Sequence, residues 1–446
     1  MPAKKAVLIV VDGMTPAAFE RAVEGDRAPA LAYLAAHGDY RRAVSVFPSL
    51  TPVCLSSIAT GAGPDVHHIP HLVWWHRAER RIVEYGSSFS ALRAAGLTQS
   101  ITDTVYNMNR HHLAADAVTV YEALDDAGLV SAAVNITCYR GHTRYVSKVP
   151  WLTRIAYGPK RFFYYGVFES DRTGAPPALR SRAAGSTDAY AAAVGRWLVT
   201  RDGFDFFAYY LSDFDYTSHL HGPAAAEDVS LARIDAAVQT LLDAAGGGDA
   251  FLERYAVVVA SDHGQTQVEQ ATRLDALVAP HEDGIVVAAS NRAGQVYLLP
   301  GARVDAAGLA ARLDGEPSVE VTLWREGDDA VARREREELR FRPVDGVWET
   351  HGDESILDHP DALGRCWAAL ADPNAGEILV SATEGWEFAD LGGRHHAGGG
   401  SHGSLVGGDS LVPLLTIGVE SEINRITEIT PALLAHFGVG ATLDAV

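Results

Sequence analysis

Cysteine is scarce in this chain, which has three cysteines, Cys54, Cys138 and Cys366, among 446 residues. An odd number of cysteines far apart in sequence excludes a disulfide framework and the paired CxxC motif of structural zinc sites. A reducing compartment fits this composition, and we expect a cytoplasmic protein. The apolar run at residues 6–11 agrees, because it meets Asp12 after six residues and is too short for the apolar core of a signal peptide.

Positive charge and long apolar runs are also in short supply. The 57 acidic residues outnumber the 37 basic ones, which gives a formal net charge of -20. This balance argues against a binder of nucleic acid polymers or anionic membranes, and no segment reaches the roughly 18 consecutive apolar residues of a transmembrane helix. A small phosphorylated partner is compatible with the acidic balance if bound divalent cations reverse the local field.

The chain instead alternates apolar runs of strand length with longer, alanine-rich stretches of helical period. This alternation predicts an α/β fold with a mainly parallel central sheet and helices on both faces. The predicted strands are residues 6–11, 131–136, 204–211, 255–260 and 411–417. The predicted helices are residues 15–25, 29–37, 52–59, 118–127, 187–198 and 224–245.

The pattern of apolar and charged residues changes between residues 291 and 390. Strand-like stretches at 295–299 and 319–324 flank a helical stretch near 304–313, and we interpret the charged run 333–340 as a solvated helix face. These features predict a small α+β insertion at 291–390 within a core formed by residues 1–290 and 391–446. Residues 138–182 are rich in aromatic and basic side chains, and we expect them to form a cap-like loop segment on that core.

Acidic residues follow three of the strongest predicted strands. Asp12 comes directly after the first, Asp215 follows the strand 204–211, and Asp262 with His263 follows the strand 255–260. In an open α/β sheet, ligands bind beyond the carboxyl ends of the strands, so these residues can converge on one crevice. Three carboxylates in one crevice are costly without cations, so the strand ends predict a divalent metal site.

Two further histidines are candidate metal ligands. His219 lies four residues after Asp215, which places both side chains on one side of a helical turn. His402 lies in the segment GGGSHGS, where glycines let the backbone approach a site closely. Carboxylates and imidazoles together are compatible with zinc and also with manganese or iron. The alternatives at these positions are Asp213, His395 and His396.

A candidate nucleophile lies in the segment FPSLTPVCLSSIATG at residues 47–61. Thr51 precedes Pro52, which fits the start of a helix, and the free amides of a helix N-terminus can bind a phosphate oxygen. Thr51 can equally use its hydroxyl to cap that helix. Ser49 is the second candidate, whereas Ser56 and Ser57 are expected on the helix itself.

Five motifs occur in the order typical of one family. They are Asp12-Gly13, PSLTP at 48–52, Asp215 with His219 and Gly222-Pro223, SDHG at 261–264, and SHG at 401–403. In these motifs the chain resembles the type I phosphodiesterase and nucleotide pyrophosphatase branch of the alkaline phosphatase superfamily. The resemblance spans residues 6 to about 418, and it implies an alkaline-phosphatase-like three-layer sandwich.

The same resemblance implies a reaction and a role for each motif residue. It implies hydrolysis of a phosphodiester, pyrophosphate or phosphonate through a phospho-threonine, with two divalent metal ions, zinc or alternatively manganese. Thr51 would be the nucleophile. One metal ion would be bound by Asp215, His219 and His402, and the other by Asp12, Asp262, His263 and the Thr51 oxygen.

The chain departs from the family pattern at Cys54, where diesterases usually have an asparagine that helps to hold a substrate oxygen. Cysteine is a weak hydrogen-bond donor, so another group must hold that oxygen. The candidates are Arg140, His142 and Arg144, for which surface charge is the alternative explanation. A phosphomonoesterase and a catalytically silent phosphate-binding scaffold stay open as alternative functions, and the sequence leaves the oligomeric state open.

Overall fold

The computed structural model describes residues 3–149, 154–175, 186–278 and 284–440. The strands are β1 (Lys5–Val11), β2 (Asp39–Val44), β3 (Val73–His76), β4 (Arg81–Glu84), β5 (Ser131–Val134), β6 (Thr143–Val146), β7 (Ile155–Gly158), β8 (Arg161–Tyr164), β9 (Phe168–Glu169), β10 (Phe206–Leu211), β11 (Tyr255–Ala260), β12 (Thr266–Thr272), β13 (Ile285–Ser290), β14 (Ala293–Leu298), β15 (Val319–Glu326), β16 (Asp329–Arg334), β17 (Glu337–Val344), β18 (Val347–Gly352), β19 (Ile378–Ala382), β20 (Gly385–Phe388), β21 (Gly400–Ser401) and β22 (Leu411–Ile417).

The α-helices are α1 (Pro16–Glu24), α2 (Pro29–Ala35), α3 (Thr51–Thr60), α4 (Pro64–His67), α5 (Phe89–Ala95), α6 (Leu97–Thr102), α7 (Val120–Asp126), α8 (Ser186–Arg201), α9 (Asp213–His221), α10 (Pro223–Val229), α11 (Leu231–Ala245), α12 (Gly248–Arg254), α13 (Leu274–Val278), α14 (Ala306–Leu313), α15 (Ala362–Ala371), α16 (Gly407–Ser410) and α17 (Ile429–His436). Asp103–His112 forms a π-helix, and Glu354–Leu357 and Ile426–Glu428 are 3₁₀ turns. A transmembrane helix is not found in the described part of the chain, since none of its helices combines the length and the apolar character that a bilayer requires.

The central sheet has the strand order β2-β22-β11-β1-β10-β5-β8-β9. The strands from β11 to β8 in this order are parallel, whereas β22, β2 and β9 are added antiparallel at the two ends. β10 and β11 are buried along their whole length, as expected of parallel strands covered on both faces. The predicted mainly parallel sheet is therefore confirmed.

Alternate residues of β1 belong to two different cores. Ala6, Leu8 and Val10 pack with α3, α7 and α17 on one face, and Val7, Ile9 and Val11 pack with α1, α2, α8 and α11 on the other. This alternation follows from the two-residue period of a strand. Each large apolar side chain buried in this way contributes about 1.5–3 kcal/mol. The result is the predicted three-layer sandwich, with helices on both faces of one sheet.

A second, antiparallel sheet has the strand order β13-β14-β19-β15-β16-β17-β18. Helix α15 packs on one of its faces, and α13 and α14 pack on the other. Most of this sheet lies in the segment 291–390 that the sequence marks as an insertion. Its edge strand, Ile285–Ser290, lies before that segment.

Two local predictions are wrong. The charged run 333–340 is a hairpin of β16 and β17, not a helix, because Glu335 and Arg336 make a turn with positive φ and the buried Leu339 lies between the partly exposed Glu338 and Arg340. The helix predicted at 224–245 is two helices, α10 and α11, which meet at Ser230, and the Ser230 hydroxyl bonds the Thr217 hydroxyl of α9 at 2.6 Å.

The segment 138–182 is only partly cap-like. Its strand β8 joins the central sheet beside β5, with Phe162 and Phe163 fully buried, so this part is core. Phe162 and Phe163 pack into the cores on opposite faces of the sheet at this edge. Strands β6 and β7 form a separate hairpin. Residues 150–153 and 176–182 lie outside the described part of the chain.

A buried ion pair joins the second sheet to the central core. The Arg292 side chain, between β13 and β14, donates to Asp409 of α16 at 3.0 Å, and both side chains are fully buried. Arg292 also donates to the carbonyls of Thr383 and Trp386, and its backbone amide donates to the His402 carbonyl at 2.9 Å. The charge of Arg292 is therefore satisfied within the protein.

Replacing Asp409 should destabilise the protein far more than breaking an exposed ion pair. We expect Asp409→Asn to lower the free energy of unfolding by about 3–5 kcal/mol, since it leaves a buried guanidinium without its counter-charge. The matched control is Glu326→Gln, which breaks the exposed pair with Arg340 and should cost less than about 1 kcal/mol. Urea unfolding measures both, and equal losses would contradict this role for Arg292.

Candidate metal centre

The parallel strands β11, β1 and β10 lie side by side, so their carboxyl ends meet at one edge of the sheet. Asp12 follows β1 directly, and its amide donates to the Leu211 carbonyl at the end of β10 at 2.9 Å. Asp262 and His263 follow β11, and Asp215 lies in the first turn of α9 after β10. The sheet geometry thus brings together residues that are up to 250 positions apart in sequence, as Asp12 and Asp262 are (262 − 12).

Asp12, Asp262 and His263 form one group of potential metal ligands. The His263 Nε2 atom lies 3.3 Å from Asp12 Oδ1 and 3.6 Å from Asp262 Oδ2. All three residues are buried, and one ligand atom from each lies within 4.8 Å of the others. This is the set that the family resemblance assigns to the metal beside Thr51.

Asp215, His263 and His402 form a second group with the same spacing. The His402 Nε2 atom lies 3.6 Å from Asp215 Oδ1, and the rings of His263 and His402 stack with their centroids 3.6 Å apart. His219, one helical turn after Asp215, has its Nε2 atom 3.2 Å from Asp215 Oδ2. The two groups share His263, so they are adjacent.

Each of the three histidines has its Nδ1 atom bound to a backbone carbonyl. The distances are 2.8 Å from His219 to Gly400, 3.0 Å from His263 to Gly264, and 2.7 Å from His402 to Ser49. A carbonyl oxygen can only accept, so Nδ1 has the hydrogen and the lone pair of each neutral ring is on Nε2. This arrangement of the second nitrogen is typical of metal-binding histidines.

Two carboxylate oxygens in the cluster are buried without a hydrogen-bond donor in the described residues. They are Asp12 Oδ1 and Asp262 Oδ2. The other oxygen of Asp12 accepts from the Tyr210 hydroxyl, and the other oxygen of Asp262 accepts from the amides of Gly13 and His263 at 3.2 and 3.0 Å. Burying an unpaired carboxylate oxygen is costly, so the donor set fits a divalent cation.

The electrostatics of the protein alone also indicate that the buried carboxylates need a cation. Burial and the charge of Asp215 raise the pKa of Asp12 well above its usual range, and burial and Asp12 do the same to the pKa of Asp262. Burial also raises the pKa of Asp215, but the charge and hydrogen bond of His219 together with the charges of His402 and His263 outweigh this effect, and the pKa is lowered. Burial lowers the pKa of His219, yet the charge and hydrogen bond of Asp215, with smaller contributions from Gly400 and Glu387, raise it to about 9. A cation would compensate the carboxylates directly.

Thr51 is the first residue of α3, and its hydroxyl faces the cluster. The Thr51 Oγ1 atom lies 3.1 Å from His263 Nε2. The N-cap residue of α3 is Leu50, and no side chain caps the helix, so the hydroxyl does not have the capping role. Ser49, the rival nucleophile, is fully buried and donates to the Ser404 carbonyl at 3.2 Å.

The rival metal ligands are less well placed to bind an ion in this cluster. Asp213 is buried, and its carboxylate accepts from the Asp188 amide at 3.0 Å. His395 is exposed. His396 stacks on His219 with the ring centroids 4.0 Å apart, and its Nδ1 atom lies 3.0 Å from a buried glutamate, Glu387. His396 thus supports the ring of a candidate ligand.

Three further polar residues surround the cluster and are not evident from the sequence. Tyr210 donates to Asp12, Gln265 donates to Asp215, and the Asn291 amide nitrogen lies 3.1 Å from His402 Nε2. Gln265 directly follows the SDHG motif, which is a signal that could have identified it. Tyr210 and Asn291 belong to strand and turn segments without any such signal.

The predicted substrate-binding residues lie among other partners. Arg140 binds Glu122 at 2.9 Å and the Ala114 carbonyl at 2.8 Å, and it lines with His142 a cavity of about 370 Å³ that includes none of the candidate ligands. Arg144 is exposed on β6. Their contact with substrate stays a prediction. Cys54 is fully buried with its Sγ atom 3.3 Å from Ser45 Oγ.

The mostly parallel sheet, with acidic and imidazole side chains gathered beside a helix-terminal hydroxyl, is of the alkaline phosphatase superfamily type. Within it, the chain belongs to the type I phosphodiesterase / nucleotide pyrophosphatase family, whose model matches residues 6–405. It is therefore a member of a family of phosphoester hydrolases. A sequence search among curated proteins finds no match.

Solved structures share this fold. Phosphonoacetate hydrolase from Sinorhizobium meliloti 1021, in complex with phosphonoformate, is 19% identical with a TM-score of 0.64, covering 98% of this chain and 96% of that chain. Murine ectonucleotide pyrophosphatase / phosphodiesterase 5 is 14% identical with a TM-score of 0.63, covering 99% of this chain and 96% of that one. An inactive variant of the murine protein, with a threonine replaced by alanine, is in complex with AMP.

Removing the charge of Asp262 should have opposite effects on the metal-free and the zinc-loaded protein. Because the folded protein raises the pKa of this carboxyl, ionisation at Asp262 costs stability as the pH rises above about 4, its usual value in an unfolded chain. At pH 8 we therefore expect Asp262→Asn to raise the melting temperature of metal-free protein and to remove the increase that zinc produces in the wild type.

The control for this measurement is His395→Ala, which changes an exposed histidine outside the two groups of potential metal ligands. Its response to zinc in differential scanning calorimetry should equal that of the wild type. An Asp262→Asn protein that is less stable without metal and still gains stability with zinc would contradict the assignment.

Proposed function

We propose that this protein is a two-metal phosphoric-ester hydrolase in which Thr51 is the nucleophile. The observation that supports this proposal most strongly is the position of Thr51 Oγ1, 3.1 Å from His263 Nε2, beside two carboxylate oxygens that have no hydrogen-bond donor among the described residues. A hydroxyl with no capping role, next to a set of atoms that can bind metal ions, fits an activated nucleophile. The substrate would be a small molecule with a phosphodiester, pyrophosphate or phosphonate group.

The two candidate metal ions would occupy adjacent positions. Asp12, Asp262 and His263 would hold the ion beside Thr51, and Asp215, His219 and His402 would hold the other. Bound divalent ions would supply charge that lowers the pKa of a neighbouring hydroxyl and stabilises the phosphoryl oxygens. Zinc fits this mixed set of carboxylates and imidazoles, and manganese is the alternative.

The residues of the chain itself would act in two steps. In the first, Thr51 Oγ1 forms a bond to phosphorus while the bond to the leaving oxygen breaks, and the leaving group departs from the opposite side. In the second, water attacks the phospho-threonine, and the threonine hydroxyl is restored. The amides at the start of α3 are placed to hold a phosphoryl oxygen during both steps.

The relatives add independent support to this proposal. Replacement of one threonine inactivates the murine phosphodiesterase, which agrees with a threonine nucleophile. The ligands in the similar structures, phosphonoformate and AMP, are small and have a phosphoryl or phosphonyl group. The three free and buried cysteines agree with the reducing, cytoplasmic location that we propose.

Two other functions are less well supported. A phosphomonoesterase would use the same cluster, and the choice between monoester and diester depends on residues around the leaving group. A silent phosphate-binding scaffold would not need a hydroxyl directed at His263 or three histidines with their Nε2 atoms turned toward carboxylates.

Replacing Thr51 with alanine should abolish turnover without removing the metal ions. We expect a loss of at least about 10³-fold in kcat, because the variant lacks the attacking oxygen. The measurement is p-nitrophenol release from bis-p-nitrophenyl phosphate, p-nitrophenyl phosphate and p-nitrophenyl phenylphosphonate, with zinc, with manganese and after metal removal. Zinc content should stay near that of the wild type, since three other residues hold each ion.

Ser49→Ala is the matched control, because it removes the neighbouring hydroxyl, which donates to a backbone carbonyl instead of facing the cluster. It should keep most of the wild-type rate. Undiminished turnover by Thr51→Ala would disprove the nucleophile assignment. A wild-type protein that binds zinc but hydrolyses none of the three substrates would favour a narrower natural substrate or the silent scaffold.

A further inference from the structure

Helix α9 presents two of the candidate ligands, Asp215 and His219, and it begins next to the start of helix α8. The two helices are separate in sequence, α8 covering Ser186–Arg201 and α9 covering Asp213–His221. The first amides of any helix have no partner within the helix and need one from elsewhere. Ser212, the residue before α9, makes no side-chain cap for it.

The missing cap of α9 comes from α8. The Asp188 Oδ1 atom accepts hydrogen bonds from the amides of Ser212 at 2.8 Å and Asp213 at 3.3 Å. In return, the Asp213 Oδ2 atom accepts from the amide of Asp188 at 3.0 Å. Each helix therefore has its first turn bound by a carboxylate of the other, which is a capping bond made between helices instead of within one.

This reciprocal cap is deeply buried. Asp188 is 2% exposed and Asp213 is 4% exposed, and the second oxygen of Asp188 is buried without a hydrogen-bond partner in the described residues. Burial and the neighbouring Asp213 raise the pKa of Asp188 to about 8. A neutral amide in place of the Asp188 carboxyl group would therefore preserve both the accepting oxygen and the usual charge.

The cap fixes the end of α9 that lies nearest to Asp215. The two amides that Asp188 holds precede Asp215 by two and three residues (215 − 213 and 215 − 212). At the other end of the helix, the His219 ring is held by the Gly400 carbonyl at 2.8 Å. Loss of the Asp188 bonds would leave the first turn free to shift, and Asp215 would move relative to His402.

We infer that Asp188 is a positioning residue, which places Asp215 and His219 through its hydrogen bonds to the start of α9. It does not touch a metal ion or the substrate, and it acts only on the helix that presents the ligands. This inference rests on the proposed metal-dependent function. It also explains why Asp213, a carboxylate next to the site in sequence, is not a ligand: its oxygen holds α8.

The test compares Asp188→Ala with Asp188→Asn. The alanine variant loses the accepting oxygen, whereas the asparagine variant keeps it. We expect Asp188→Ala to weaken cobalt(II) binding at the Asp215 position by about 10–100-fold, as is typical when a supporting group of a metal site is lost. Asp188→Asn should bind within about threefold of the wild type, because it retains the accepting oxygen of the capping bond. Titration followed by the visible absorption of bound cobalt measures both.

A second measurement does not depend on metal. Hydrogen exchange of the Ser212 and Asp213 amides should be faster in metal-free Asp188→Ala than in the wild type and unchanged in Asp188→Asn. If the alanine variant does not fold, Asp188→Ser, which has a shorter acceptor, takes its place and should show an intermediate effect in both measurements.

The outcomes separate this inference from the proposed function. Equal cobalt affinity and equal exchange in wild type and Asp188→Ala would overturn the positioning role. A loss in Asp188→Asn as large as in Asp188→Ala would also overturn it, since the accepting oxygen would then not be what matters. Wild-type protein that binds no cobalt would refute the metal site, whereas the exchange experiment would still decide whether Asp188 holds α9.

Discussion

The burial of negative charge at the carboxyl ends of three neighbouring strands is the constraint on which the rest of this structure depends. Asp12 and Asp262 are almost completely buried, and one oxygen of each has no donor among the described residues. Carboxylates in this state destabilise a folded chain unless a cation accompanies them. The surrounding groups are arranged for that cation, since three histidines direct their Nε2 atoms toward the carboxylates. Gly13, next to Asp12, has a positive φ of 70°, and a Cβ atom at this position would lie 2.4 Å from the Gln265 side chain.

The second sheet takes part in the same arrangement. Its turn residues Asn291 and Arg292 contact His402 through a side chain and a backbone amide, and Arg292 is tied to the core by its buried ion pair with Asp409. The position of His402 therefore depends on both sheets. Through these contacts the second sheet supports the candidate metal centre mechanically.

The sequence was sufficient to predict the sandwich, because apolar runs of strand length alternate with helical stretches. It also predicted the convergence of the candidate ligands, because acidic residues follow three of the strands. It could not predict contacts that exist only after folding: Tyr210 reaches Asp12 from the next strand, and Asn291 reaches His402 from the second sheet. The prediction for the charged run 333–340 was wrong because its many charges suggested a solvated helix face and the two-residue turn at Glu335 and Arg336 was not recognised. Arg140 has the chemistry of a phosphate ligand, but its guanidinium is occupied by Glu122 and nearby carbonyls.

The most direct test of the account is anomalous X-ray diffraction from zinc-loaded crystals at the zinc absorption edge. The account predicts two anomalous peaks roughly 4 Å apart, as in other two-metal sites, one between Asp12, Asp262 and His263 and the other between Asp215, His219 and His402. A single peak would mean that the two groups of ligands, which share His263, bind one ion instead of two. No peak in this cluster, with the protein folded and zinc present, would contradict the claim that cations compensate the buried carboxylates.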